Sequence, residues 1–241
     1  MCRRASTNPG DLLTLAGREQ KTGSTFSYQV VSMMAGIHPP QAEPYPPGVE
    51  LTSQALPAAY IYLIRQGIVK LTYAAPQGRQ MLVDLRFSGE LVGAGAAVLG
   101  QPCFGTSTTL TRSLLARWSV SEFQRGLARD TEFAAVVNRL LSQEMHALYR
   151  RLASIGLCGA RRRLEEFLAA CTDSQTGDAH SPPARVRLPL RQWELAEYLS
   201  VSPSYVSRLW RELEEEGVVQ RQKGWIYLLD RRSAVVAASQ R

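Results

Sequence analysis

Residues 192–211 read Q-W-E-L-A-E-Y-L-S-V-S-P-S-Y-V-S-R-L-W-R, and this stretch decides the carboxy-terminal fold. A helix-turn-helix needs a small residue where two helices cross, a tight turn, and apolar residues that lock the second helix on the first. Ala196 is the small residue, and Leu195, Leu199, Val201, Val206 and Leu209 stand at the locking positions. Ser200 occupies the turn, where glycine is commoner because positive φ suits it. Ser202-Pro203 offers an N-cap followed by proline at the first helical position. The competing reading is an ordinary helical hairpin packed in a core.

With Val206 and Leu209 inward, Ser204, Ser207, Arg208 and Arg211 face outward. Ser204, Arg208 and Arg211 share one side at i, i+4 and i+7. That side suits the major groove of DNA. Arg208 is the candidate for a bidentate contact to guanine O6/N7, worth about 1–3 kcal/mol of discrimination. A salt bridge to Glu212, four residues on, is its alternative. Ser202, Ser204, Tyr205 and Arg211 suit phosphate or local contacts. The acidic run Glu212 to Glu216 reads as the solvated back of this helix. Val218–Gln220 and Trp225–Leu229 then flank Gln222-Lys223-Gly224 as the strands of a wing, with Arg221 or Lys223 placed to touch phosphate.

Upstream, Asp130 to Ile155 contains no Gly or Pro. Leu141, Met145, Leu148, Leu152 and Ile155 follow a 4-3-4-3 spacing, the seam of a coiled coil. A dimer seam and packing on the chain's own core both fit so short a run, and Gly156 is the expected stop. Arg161 to Cys171 forms a further helix with Leu164, Phe167 and Leu168 inward. Asp173 to Pro183 reads as a polar loop, and Arg185 to Leu190 as a short strand.

From about 58 to 120 the pattern is β. Tyr60–Arg65 and Ile68–Tyr73 are β-branched and aromatic, and Gln66-Gly67 between them reads as a tight hairpin. Pro76-Gln77-Gly78 makes the next turn. Gln80–Arg86 alternates, with Met81, Val83 and Leu85 on one face. Gly67, Gly78, Gly89 and Gly100 recur every 11 residues. Short strands at that spacing suggest a jelly roll. Leu91–Leu99 suits one short helix, and Thr106–Arg112 and Leu114–Trp118 two more strands. Residues 1–40 lack a sustained period and read as a loosely ordered arm, with a short helix near Asp11–Ala16. Pro39, Pro40, Pro44, Pro46 and Pro47 follow as a rigid, non-helical lead-in.

The fold class expected is therefore α+β. It comprises an amino-terminal β-roll (a double-stranded jelly roll) over 41–128, a long dimerisation helix over 129–156, and a winged helix-turn-helix over 158–234, after the arm of 1–40.

Composition narrows the function classes. Across 241 residues the net charge is +7, and only Lys21, Lys70 and Lys223 are lysines among 28 cations. An arginine-rich basic chain leans toward nucleic acid, though a coding bias toward arginine gives the same count. From Gly156 on, 13 Arg+Lys face 11 Asp+Glu, so DNA binding must rest on local placement of cations. Cys2, Cys103, Cys158 and Cys171 match no zinc or disulfide framework, and His38, His146 and His180 lie in unrelated contexts. No metal site and no cofactor are expected. No paired carboxylates, nucleophile–base set or phosphate loop appears, so the chain does not read as an enzyme. It offers no secretory signal and no apolar run of membrane length, and a cytoplasmic protein is the default.

Taken in order, these parts resemble the Crp/Fnr family of bacterial transcription regulators over roughly residues 45–235. The resemblance rests on the glycine pattern, Gly89-Glu90-Leu91-Val92-Gly93, the long helix, Arg163-Leu164-x-x-Phe167-Leu168, and the helix-turn-helix with its wing. It implies a homodimer joined through the long helix, with two heads on a two-fold site of double-stranded DNA. It also implies an effector in the roll and contact with RNA polymerase. The effector pocket it implies involves Gly89, Glu90, Leu91, Gly93, Thr106, Ser107, Leu148 and Tyr149.

Departures from the family bear on the effector. Cyclic-AMP-responsive relatives carry an Arg-Ser pair where this chain has Cys103-Phe104-Gly105-Thr106-Ser107, and their Thr-Ser opposite the adenine becomes Leu148-Tyr149. Both changes argue against cyclic AMP. Glu90 remains for a ribose hydroxyl. Only Cys2 stands where iron–sulfur relatives carry a cysteine cluster. Cys103 and His146 are lone candidates for haem. Arg208 matches the family's arginine, while Pro203-Ser204 replaces the Arg-Glu at the start of the cyclic-AMP receptor's reading helix. A rival from another class is a small-molecule or redox-sensing module whose helix-turn-helix no longer binds DNA specifically.

Overall fold

The structure, a computed structural model, describes residues 41–176, 184–188 and 190–229. The expected arm of 1–40 lies outside the described residues, as do 177–183 of the polar loop.

Eight strands build the roll: β1 (Glu43–Tyr45), β2 (Glu50–Thr52), β3 (Tyr60–Gln66), β4 (Val69–Ala74), β5 (Gln80–Arg86), β6 (Leu91–Val92), β7 (Thr106–Thr109) and β8 (Ser113–Ser119). They form two antiparallel sheets, ordered β1-β8-β3-β6 and β2-β7-β4-β5. Strand β3 is buried on both faces. Tyr62 and Ile64 join Leu51, Val69, Val92 and Leu115 between the sheets. Ile61 and Leu63 instead lie under helices, with Phe123, Phe133, Val136 and Val137. That double burial explains the continuous apolar run of Ile61–Ile64.

Several local expectations are corrected. Gln66-Gly67 is not a hairpin: β3 pairs with β6 and β8, and β4 with β5 and β7, so the chain crosses between sheets there. Gly67 has φ +103, and a Cβ at that position would meet the Ser113 Cα at 2.8 Å, so the crossing needs glycine. In β5 a bulge shifts the register between Leu71↔Asp84 and Thr72↔Leu82. The alternation therefore breaks at Val83: Leu82 and Leu85 are buried and Met81 is exposed. Leu91–Val92 is a strand, so helix α1 spans only Ala94–Leu99. The proline-rich lead-in contributes the edge strand β1, where Pro44 is tolerated.

Helix α2 (Val120–Arg129) closes the roll. A capping box starts it: Ser119 Oγ accepts from Glu122 N at 3.2 Å, and Glu122 Oε2 accepts from Ser119 N at 2.8 Å. Helix α3 (Thr131–Leu157) follows, with the Asp130 carboxylate accepting from Glu132 N and Phe133 N. It runs through Gly156 and stops at Cys158, which is extended. Glycine costs an exposed helix only about 1 kcal/mol and does not by itself end one.

Helix α4 (Ala160–Thr176) extends past Cys171 into the stretch read as a loop. Then come β9 (Ala184–Val186), α5 (Gln192–Tyr198), α6 (Pro203–Glu215), β10 (Val219–Gln222) and β11 (Trp225–Leu228). Their three-stranded sheet is ordered β10-β11-β9. Leu164, Phe167, Leu168, Leu195, Leu199, Val206 and Leu209 share one core, and Ile68, Leu82 and Leu85 of the roll join it. The head thus packs on β4–β5. Lys70 Nζ lies 2.7 Å from Glu194 Oε1, and Leu82 N donates to Glu197 Oε2 at 3.1 Å.

Candidate nucleic-acid interface and a cavity in the roll

Helices α5 and α6 are the two helices expected at 192–211. Ser200, in the turn between them, adopts φ +54, the left-handed conformation glycine favours. Ser202 caps α6 by accepting from Tyr205 N at 3.3 Å. Val206, Leu209, Trp210 and Leu213 are buried. Ser202, Ser204, Ser207, Arg208 and Arg211 are exposed, and Tyr205 is half-buried.

The outward side chains differ in freedom. Ser207 Oγ donates to Pro203 O at 3.3 Å and accepts from Gln192 Nε2 at 2.5 Å, so it braces the helix start. Ser202 and Ser204 hydroxyls lie 3.0 Å apart. The Arg208 guanidinium sits 4.3 Å from the Tyr205 ring centroid, and its Nε is 3.6 Å from Glu212 Oε1. The salt bridge weighed as its alternative therefore exists, but it is long and exposed. A pair of that kind is worth about 0–1 kcal/mol and yields readily to a base edge. Lys223 is exposed at the wing tip with φ +51.

Arg221, read as a phosphate contact, is otherwise engaged. Its Nε and Nη2 donate to the Glu214 carboxylate at 2.9 and 2.8 Å, and it stacks 5.3 Å from the Trp210 centroid. The acidic run is likewise not a bare solvated face. Glu216 accepts from Arg161 at 2.5 and 2.6 Å. These arginines hold the Glu214 and Glu216 carboxyls below their usual range. Glu214 and Glu216 thus hold the wing and α4 on α6, while Arg208, Arg211 and Lys223 face outward beside them. A cleft of about 550 Å³ lies between α6 and the wing, lined among others by Gln192, Ser207, Arg211, Lys223 and Trp225. Sequence reasoning missed Gln192. Its only signal is its position, first in α5 and beside the start of α6.

The roll holds a cavity of about 280 Å³. Of the pocket residues expected, Leu91, Gly93 and Ser107 line it; Gly89, Glu90, Thr106, Leu148 and Tyr149 do not. Glu90 instead closes the β5–β6 turn, where its Oε2 accepts from Phe87 N at 2.6 Å. Burial pushes its carboxyl up to about 7, against the pull of Arg86 and that amide. The residues that enter the cavity follow it, at Gly93–Ala96. From α3 the lining residue is Glu144, one turn before Leu148. Leu148 and Tyr149, carried over from the family without gaps, stand one turn further along α3 and do not line this cavity. Cys103 lines the cavity, while His146 is exposed on α3.

Along α3 the seam residues divide. Leu141 packs against the roll's own core. Met145, Leu148, Leu152 and Ile155 are exposed, Leu152 by 70%. Among the described residues no helix is long and apolar enough to cross a membrane.

Comparison with known proteins agrees with this layout. The cyclic nucleotide-binding domain model matches residues 42–130, and the Crp-like helix-turn-helix domain model matches 162–233. A probable transcriptional regulator of Lacticaseibacillus casei is 25% identical over 72% of this chain and 76% of its own. The nitrogen fixation regulation protein FixK of Bradyrhizobium diazoefficiens is 23% identical over 73% and 74%. Among solved structures, a CRP/FNR-family transcriptional regulator of Thermus thermophilus superposes with TM-score 0.68 at 20% identity, over 83% of this chain and all of that one. FixK2 of Bradyrhizobium japonicum superposes with TM-score 0.67 at 18% identity, over 80% and 94%. Those superpositions speak to the fold. With both domains in order and a reading helix whose cations face outward, the chain belongs to the Crp/Fnr family of DNA-binding transcription regulators.

Proposed function

We propose that the protein acts in the cytoplasm as a homodimer that reads a two-fold DNA site through its two copies of α6. The observation that carries this reading is the exposed face of α6, where Arg208 and Arg211 stand clear of the core with Lys223 at the neighbouring wing tip. Arg208 reads a guanine. Ser202, Ser204, Tyr205, Arg211 and Lys223 serve the phosphates, and Gln192 and Ser207 hold the helix start in register. Met145, Leu148, Leu152 and Ile155 meet their counterparts in the second copy. Two-fold symmetry then sets half-sites about one helical turn, ~34 Å, apart.

The roll modulates this binding through an effector in its cavity that is not cyclic AMP, and the bound dimer contacts RNA polymerase. Catalysis has no place in this scheme.

The test is fluorescence anisotropy of the ligand-free protein on DNA from upstream of its own gene, at two salt concentrations with non-specific competitor. Competitor-resistant binding to one fragment is expected. Binding that falls with salt equally on every fragment, and stays so across candidate effectors, would overturn the reading.

A further inference from the structure

The roll cavity lies at one end of a chain of charges that ends on the DNA-reading head. Among the described residues, Arg86 and Glu144 are the acidic and basic side chains that line it. Leu91, Val92, Ala94, Leu99 and Phe104 make much of the remaining wall. The Arg86 side chain is only 9% exposed, and it binds Glu144 Oε1 at 2.5 Å and Asp84 Oδ2 at 3.3 Å. A buried guanidinium cannot lose its proton, so it must keep counter-anions beside it.

Those two counter-anions are not equivalent. Asp84 is 15% exposed and also binds Arg151 at 3.2 Å. Glu144 is 28% exposed and stands on α3 at the cavity wall. Glu144, the more exposed of the two, turns out to water more readily than Asp84, which Arg151 also holds, provided another anion takes its place on Arg86.

We propose that the cavity takes a small molecule with an apolar body and an anionic head. The head takes Arg86 from Glu144, and Asp84 and Arg151 carry that exchange to the DNA-reading head. The proposal rests on the reading that the roll modulates DNA binding. A carboxylate or a phosphate can each place two oxygens on the guanidinium fork. The volume is near the lower end of ordinary ligand pockets, roughly 300–1,000 Å³, which favours a short body.

The route outward is continuous. Asp84 offers one oxygen to Arg86 and the other to Arg151. Arg151 also donates to Val83 O, and to Tyr198 O at 3.4 Å. Its guanidinium lies 4.2 Å from the Tyr198 ring centroid. Tyr198 is the last residue of α5, packed 5.1 Å from Phe167 of α4. Glu144 and Arg151 stand two turns apart on one helix, so releasing Glu144 loosens the helix that carries Arg151. A ligand then shifts the pose of the head by its differential affinity for the two arrangements.

The experiment titrates the full-length protein with hexanoate, hexyl phosphate and hexan-1-ol, followed by thermal shift. At least one anion is expected to bind more tightly than the alcohol, and which one does so identifies the head chemistry. Arg86→Gln should weaken anion binding by about tenfold or more and leave the alcohol unchanged. Because loss of a buried arginine can unfold the roll, Glu144→Gln carries the test independently. With the internal competitor gone, it should bind the anion several-fold more tightly. Equal binding of alcohol and anions, no anion binding, or unchanged anion affinity in Glu144→Gln would overturn the anchor.

Anisotropy on the preferred DNA tests the relay: ligand-free Glu144→Gln should differ in affinity from the parent, and identity would sink the relay. Loss of DNA preference in the parent protein would instead count against the proposed function. Thermal shift reads the cavity separately from that outcome.

Discussion

Arg163 and Leu199 are joined by two hydrogen bonds, from Nε at 3.0 Å and Nη2 at 2.8 Å, both to one carbonyl oxygen. The same guanidinium donates through Nη1 to Ser154 O at 3.2 Å and Cys158 O at 2.5 Å. One cation therefore caps the carboxy-terminal ends of α3 and α5 together, where the helix dipole favours positive charge; Ser154 O also accepts from Cys158 N at 2.9 Å. This fixes how the head leaves the long helix.

Arg163→Ala should destabilise the protein by about 2 kcal/mol, the scale of hydrogen bonds made by a charged group. Arg163→Lys should recover little, because an ammonium cannot span both helix ends. Urea denaturation of the two variants checks this, and full rescue by lysine would contradict it.

Arg208→Ala should abolish preference for the best DNA site, costing about 1–3 kcal/mol of discrimination, while the thermal transition stays in place. Glu212→Gln frees Arg208 from its pair and should tighten binding. Unchanged site preference in Arg208→Ala, measured by competition anisotropy, would remove Arg208 from the reading set.

Leu148→Glu places a charge in the exposed apolar strip of α3 and should give monomers by light scattering. Leu148 makes no part of the roll's own core, so the variant should still fold. A dimer in that variant would move the seam elsewhere.

Ser200→Gly should stabilise the head by up to about 1 kcal/mol. The relief of left-handed strain exceeds the extra freedom glycine gives the unfolded chain. Thermal denaturation reads the gain, and a loss would show that the hydroxyl matters more than the backbone.

Glu90 makes the stability pH-dependent. Its folded carboxyl is raised from 4.5 to about 7, with Asp84 and Glu144 adding to the effect of burial and Arg86 opposing it. Between those values the folded state holds a proton that the unfolded chain has released, so this contribution falls as pH rises through the window. Glu90→Gln should gain on the parent protein between pH 5 and pH 8 in urea titrations. A constant difference across that range would show that Glu90 stays ionised.

Sequence alone determined the order of the parts, because each rests on local periodicity and local chemistry. Ala196, Ser202-Pro203 and the locking residues specify the helix-turn-helix through contacts within 20 residues, and Leu164, Phe167 and Leu168 face inward at helical spacing. Tertiary structure decided what those parts touch. Whether Gln66-Gly67 joins paired strands depends on Ser113, far along the chain. Whether Val83 alternates depends on a bulge across from Leu71 and Thr72. Arg221 and Glu216 found partners on other elements, which no spacing in the sequence encodes. That Glu144 and not Leu148 lines the cavity is likewise tertiary: Phe133, Val136 and Val137 pack α3 into the core of the roll, and no spacing along the helix encodes which of its turns then meets the cavity.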